Sequence, residues 1–236
     1  MCYKVATKTV EKLEEALKPK GIKVNSYSRY FAADGFDRPL LPVLSNDSPK
    51  EVKTARWKLI PYWVKTEADA KSYANTLNAK CETLFETKTY APYIAKNRCL
   101  LLIDGFFEPN HPQKGVTVPF YITALEDSWQ LALGCTYADW VNTETGEVTR
   151  TFSVITTPAN ELMSEIHNIG LRMPLIIVPE KWDQWLSPMA EQEIKAMMQP
   201  LADGLLKAHA VSGLVYKKGV NANVPEAIMP YKATLF

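Results

Sequence analysis

The chain has 236 residues, 47% hydrophobic and 22% charged, so it can bury a core and is not a disordered tail. Lys plus Arg number 27 against 26 Asp plus Glu, a net charge of +1, so bulk charge cannot hold it to nucleic acid and any anionic partner must be gripped by a local cluster. Ten Gly and sixteen Pro without a period exclude collagen-like and Gly-rich low-complexity classes.

The opening residues, MCYKVATKTVEKLEEALK, lack the apolar core of a secretory signal. The longest apolar runs, Leu100–Ile103 and Leu175–Val178, fall far short of the ~20 residues of a membrane span. Cys2, Cys81, Cys99 and Cys135 are scattered, with neither a CxxC pair nor zinc-ligand spacing, and none of His111, His167 and His209 sits in an HExxH frame. The expectation is a soluble cytoplasmic protein with free thiols, no metal and no cofactor.

In chain order, Val10, Leu13, Ala16 and Leu17 predict a helix over Thr9–Lys18, stopped by Pro19-Lys20-Gly21. Residues 25–52 read as irregular, punctuated by Asp34-Gly35, Pro39, Pro42 and Asn46-Asp47-Ser48-Pro49. Trp57–Ile60 reads as a short strand ended by Pro61, and Cys99–Phe107 as a buried strand running into a turn. Val118–Leu125, Trp129–Tyr137 and Thr149–Thr156 read as strands, Pro158–His167 as a helix and Leu175–Val178 as a buried strand. Helices over Glu180–Leu186 and Ala190–Met198 precede a strand at Val211–Tyr216. No repeat or linker divides the chain, which predicts one α+β domain on a mixed or antiparallel, barrel-like sheet with peripheral helices.

Five features could carry chemistry. Cys2 follows the initiator methionine, which is normally removed before a small residue. A terminal cysteine then holds two nucleophiles on adjacent carbons, an amine titrating near ~8 and a thiol near ~8.5. The amine condenses with an aldehyde and the thiol closes a thiazolidine, which no internal cysteine can do; the bland alternative is an unconstrained second position. Glu108, after Asp104-Gly105-Phe106-Phe107, would stand on a rim beside two phenyl rings, either as a proton donor with a raised pKa or as an exposed loop glutamate. His167, at a helix end near Arg172, is either a proton shuttle or a helix cap. Asn78 and Lys80, in Asn78–Thr83, suit an amine and a phosphate, or a polar turn. Trp57 and Trp63 flank a lysine and could stack unpaired bases, or simply fill core.

The order of these features resembles the SRAP family, the SOS-response-associated peptidases. The motifs are Cys2, WxLIPxW at 57–63, NAxxET at 78–83, RCLxxxDGFxE at 98–108 and TTxAN…M..IH…RMP at 156–174. The resemblance implies a single SRAP domain over residues 1–236 that recognises abasic sites in single-stranded DNA. It would crosslink to them through Cys2 as a thiazolidine, with strand cleavage as a side reaction. It implies that Asn78 holds the cysteine amine and the sugar, that Glu108 protonates the ring oxygen, and that His167 is the acid/base at the sugar hydroxyl. Thr156 would line the pocket, Trp63 would meet DNA, and Lys4, Lys80 and Arg172 would contact phosphates. About three phosphate contacts predict a salt slope of roughly −2, from about −0.7 each on single strands.

Four departures stand out: lysine for arginine at Lys4 and Lys80, Pro109 where a tryptophan commonly stands, Tyr30–Asp34 replacing a YN.AP-like segment, and an extra Asn168–Leu171 loop. Two rivals remain: a cysteine-type peptidase pairing Cys2 with His167, and a single-strand binding module without catalysis.

Overall fold

The computed structural model describes residues 2–127 and 129–231. Its first strand, β1 (Lys4–Ala6), leads to α1 (Val10–Leu17), where the Thr9 hydroxyl accepts from the Lys12 amide and Gly21 closes the C-terminal turn at φ 62. Short strands β2 (Lys23–Val24) and β3 (Ala33–Asp34) precede β4 (Leu40–Ser45) and β5 (Glu51–Trp57). Then come α2 (Glu67–Ser72), β6 (Asn78–Lys80), α3 (Ala91–Ile94), β7 (Arg98–Ile103), β8 (Gly105–Asn110), β9 (Val118–Ala124), β10 (Leu131–Val141) and β11 (Val148–Pro158). The chain continues through α4 (Glu161–Ile166), β12 (Arg172–Pro174), α5 (Trp182–Leu186), α6 (Glu191–Met197) and β13 (Leu206–Ala210).

The fold is α+β. Strands β5, β4, β7, β10 and β11 pair antiparallel in that order, and β11 returns to β5 in parallel (Thr151 opposite Arg56, Phe152 opposite Trp57). Five strands cannot alternate direction around a ring, so closure demands that one parallel pairing. The resulting barrel is mixed. A second, antiparallel sheet runs β3–β1–β8–β9–β13.

All six residues of β7 are buried because both its faces are covered. Leu101 and Ile103 share a core with Cys2, Val5 and Phe106 of the second sheet, whereas Leu100 and Leu102 pack with Leu13 and Leu17 of α1 and Trp185 of α5. The two sheets therefore share one core. Gly105 is obligatory where the chain passes from barrel to second sheet: a Cβ there would lie 2.5 Å from the Tyr121 ring.

Several local expectations are corrected. Residues 25–52 hold β4 in the barrel wall; Pro42 is tolerated because β7 registers only with Val43–Ser45. The strand expected at Trp57–Ile60 ends at Trp57, where Lys58 turns left-handed at φ 105 and its ammonium donates to the Ala70 and Tyr73 carbonyls. Leu175–Val178 is buried or nearly so but forms only an isolated bridge, Leu133 to Ile176. The strand expected at Val211–Tyr216 lies earlier, at β13, and Gly213–Tyr216 is a tight helical turn. Among the described residues no helix is long and apolar enough to cross a membrane.

Candidate active site

The spine of the site is the C-terminal half of β11. Its register sets Val154 opposite Asn78 and Thr156 opposite Lys80 on one side, and Thr156 opposite Pro174 and Pro158 opposite Arg172 on the other. Backbone pairing alone thus gathers Asn78, Lys80, Thr156 and Arg172. Helix α4, capped by the Asn160 side chain, ends at His167, and the Asn168–Leu171 loop leads back into β12. From the other sheet, β1 sets Lys4 opposite Phe107 of β8, which carries Cys2 alongside Glu108. Asn110 donates to the Glu165 carbonyl at 2.7 Å and Asn168 accepts from the His111 amide, fastening β8 to α4.

Glu108 is not on a rim. It lies inside β8 with 1% of its surface exposed, and burial pushes its carboxyl up to about 7. Cys2 is fully buried, so its thiol is pushed well up, first by burial and then by the Glu108 carboxylate; it donates weakly to the Lys4 carbonyl at 3.8 Å. Asn78 donates to the Cys2 carbonyl at 2.9 Å, while its Oδ1 is buried with no donor among the described residues.

His167 Nε2 stands 3.9 Å from Glu108 Oε2. Its Nδ1 is 2.9 Å from the Arg172 carbonyl, which can only accept, so the proton sits on Nδ1. Burial holds the imidazole below its ordinary pKa, leaving a neutral ring with its lone pair at Nε2 facing Glu108. Gly170 packs flat against that ring: a Cβ there would come within 2.3 Å of it. His167 is the C-cap of α4, as the capping reading expects, and its Nε2 faces Glu108.

The cations are differently placed. Lys4 forms a close ion pair with Asp34, so the segment that departs at Tyr30–Asp34 neutralises it. Arg172 donates to both oxygens of Glu82 at 2.8 and 2.9 Å and to the hydroxyl and carbonyl of Thr156, holding Glu82 down at about 2. Lys80 is exposed and makes no ion pair among the described residues. Trp63 belongs to a separate apolar cluster with Ile60 and Trp140, edge-on to Tyr62 and under Lys88, away from the core that holds Cys2. Sequence reasoning missed Tyr3 and Tyr216. Tyr216 is near enough to Glu108, Cys2 and Asp34 for their charges, after burial, to raise its phenol pKa, and nothing in the pattern around residue 216 signals it.

A family model described as SOS response associated peptidase (SRAP) matches residues 1–218. The chain belongs to the SRAP family. It is 32% identical over 191 residues to "Abasic site processing protein YoqW" of Bacillus subtilis, covering 80% of this chain and 81% of that protein. It is 28% identical over 207 residues to the chicken (Gallus gallus) "Abasic site processing protein HMCES", covering 79% of this chain and 59% of that one. A crystal structure of a Bacteroides thetaiotaomicron protein superposes with a TM-score of 0.86 at 27% identity, over 98% of this chain and 100% of the other. The SRAP fold inferred from the motifs is thus the fold observed.

Proposed function

We propose that this SRAP chain, acting as one domain, traps abasic sites in single-stranded DNA as a covalent thiazolidine on Cys2. The relatives named as abasic site processing proteins support the lesion class. The observation that carries the reading is the seat of Cys2, with a buried carboxyl of pKa about 7 on one side and an asparagine oxygen lacking a donor on the other. Met1 lies outside the described residues. Its removal is part of the proposal, because an amide nitrogen's lone pair is delocalised into the carbonyl and does not attack an aldehyde.

An abasic sugar lacks its base, so nothing need be drawn from a stack. Glu108, protonated in about half the molecules near pH 7, gives its proton to the ring oxygen as the C1′–O4′ bond breaks. His167 Nε2 takes the proton of the C1′ hydroxyl, leaving the aldehyde. The Cys2 amine, held by Asn78 Oδ1, bonds to C1′ as one amine proton moves to the aldehyde oxygen. His167 passes its proton to Glu108, which protonates the departing hydroxyl as water, and the remaining N–H proton goes to His167 as the C=N bond forms. The thiol then adds to the imine carbon: a C–S bond forms, the π pair moves to nitrogen, and nitrogen takes the thiol proton. Water is the only leaving group. Burial of Cys2 and Glu108 keeps bulk water from the imine. Thr156 lines the pocket, Lys80 meets a phosphate, and Trp63 offers a more distant base shelf. Lys4 and Arg172 reach phosphates only by exchanging Asp34 and Glu82 for them.

The peptidase reading fits the thiol poorly. A nucleophilic cysteine needs a lowered pKa, whereas that of Cys2 is raised. Thiazolidine formation tolerates this, since the amine makes the first bond. The test is incubation with a single-stranded oligonucleotide bearing an abasic site: an adduct that survives denaturation and is lost in Cys2→Ala supports the proposal, and turnover of unrelated peptides without any adduct overturns it.

A further inference from the structure

A second concave feature adjoins the site. Between β3 with the turn that follows it and the C-terminal segment Val215–Asn223 lies a cleft of about 750 Å³, within the roughly 300–1,000 Å³ of small-ligand sites. Tyr3, the neighbour of Cys2, lines its wall together with Phe36, Tyr216, Lys217 and Lys218. We propose that this cleft seats the nucleotide next to the abasic sugar, its base stacked on Phe36 and its phosphate held by Lys217 and Lys218. The assignment rests on the abasic-site reading above.

Phe36 is 61% exposed, yet it is held from behind. Its ring packs on Tyr3 at 5.0 Å between centroids, and its amide donates to Asp34 Oδ1 at 3.0 Å. A large apolar ring kept rigid in water offers a base its face without an ordering cost.

Charge points the same way. Lys4 is engaged by Asp34 and Arg172 by Glu82, whereas Lys217 and Lys218 are exposed and form no ion pair among the described residues. Asp37, on the opposite wall beside Phe36, leaves the lysine side the anion-attracting one. The lysine wall is fixed: Val211, Val215 and Ala227 are buried together, the Phe31 amide donates to Asn223 Oδ1 at 2.7 Å, and the Tyr231 amide donates to the Ala210 carbonyl.

The probe is a single-stranded oligonucleotide carrying a tetrahydrofuran abasic analogue, which has no aldehyde and reports reversible binding by anisotropy. Lys217→Ala/Lys218→Ala should shallow the salt slope by about 0.7, the share of one phosphate, and Phe36→Ala should weaken binding about ten-fold. All three side chains are exposed, so the variants should fold. In a second arm, the parent is incubated with a true abasic strand and should form the adduct that survives denaturation. Unchanged affinity and slope in the first arm, or a parent that does not bind the analogue strand, overturns the subsite. A parent that binds it but never crosslinks overturns the thiazolidine reading instead.

Discussion

The two halves of the site are built on opposite principles. The interior cluster of Cys2, Asn78, Glu108 and His167 is dry, and burial shifts the three titratable members toward their neutral forms. The cationic rim is charged but engaged: Lys4 by Asp34, Arg172 by Glu82 and Thr156. A neutral interior suits condensation of an amine with an aldehyde, which needs a proton donor near pH 7 and little water. A neutralised rim suits brief, short-footprint contact with a strand, since each phosphate must displace a carboxylate or meet one of the exposed lysines. Charge is suppressed in the interior and compensated at the rim.

The comparison breaks most completely at Cys2. Cys2→Ala should abolish the denaturation-resistant adduct while leaving reversible binding of an abasic-analogue strand intact; residual adduct would place the nucleophile elsewhere. Next is Glu108→Gln, expected to slow single-turnover crosslinking by about 10²-fold or more. The parent rate should fall above pH of about 7 as the carboxyl ionises, and this limb should vanish in the variant.

The same substitution tests the dryness of the cluster. The folded pKa is raised above the ordinary 4.5, so the folded state binds the proton more tightly than the unfolded chain. Its stabilising contribution is full below about 4.5 and is lost as pH rises through about 7. Relative to Glu108→Gln, the parent should therefore lose on the order of 3 kcal/mol between about pH 4 and pH 8 in denaturant titrations. A pH-independent difference would mean a solvated carboxyl.

Smaller effects sharpen the contrast. Gly170→Ala drives a methyl into the His167 ring, so crosslinking should slow about ten-fold with a stability loss of about 1–3 kcal/mol, read by rate and thermal melts. Glu82→Gln frees the Arg172 guanidinium for phosphate. The salt slope for strand binding should steepen by about 0.7, with stability changed by less than about 1 kcal/mol and the crosslinking rate at saturation unchanged.

Much of this was legible in the sequence, unevenly. The helix from Thr9 and the strands β9, β10 and β11 follow from period and β-branched content, because local preference and burial agree there. Barrel wall β4 was hidden by Pro39 and Pro42, whose tolerance depends on where β7 begins to register, a fact of tertiary pairing. The strand near residue 211 was misplaced because Val211 and Val215 are apolar for docking the C-terminal segment on β9, not for pairing.

For the site, the motif order brought Cys2, Asn78, Glu108 and His167 into one list, and the fold brings them into one cluster. The rim prediction for Glu108 failed because the chain turns at Asp104 and re-enters a sheet at Gly105, which no local pattern distinguishes from an exposed loop. The engagement of Lys4 and Arg172 was equally invisible, since Asp34 and Glu82 are ordinary surface carboxylates until the fold sets them opposite those cations.

Intact-mass and peptide mass spectrometry of the protein, before and after exposure to an abasic single strand, bears most directly on the whole account. The prediction is a chain beginning at Cys2 and, afterwards, one covalently bound sugar-phosphate remnant on the N-terminal peptide with loss of a single water. A chain that retains Met1, or a remnant attached to any other residue, would contradict it.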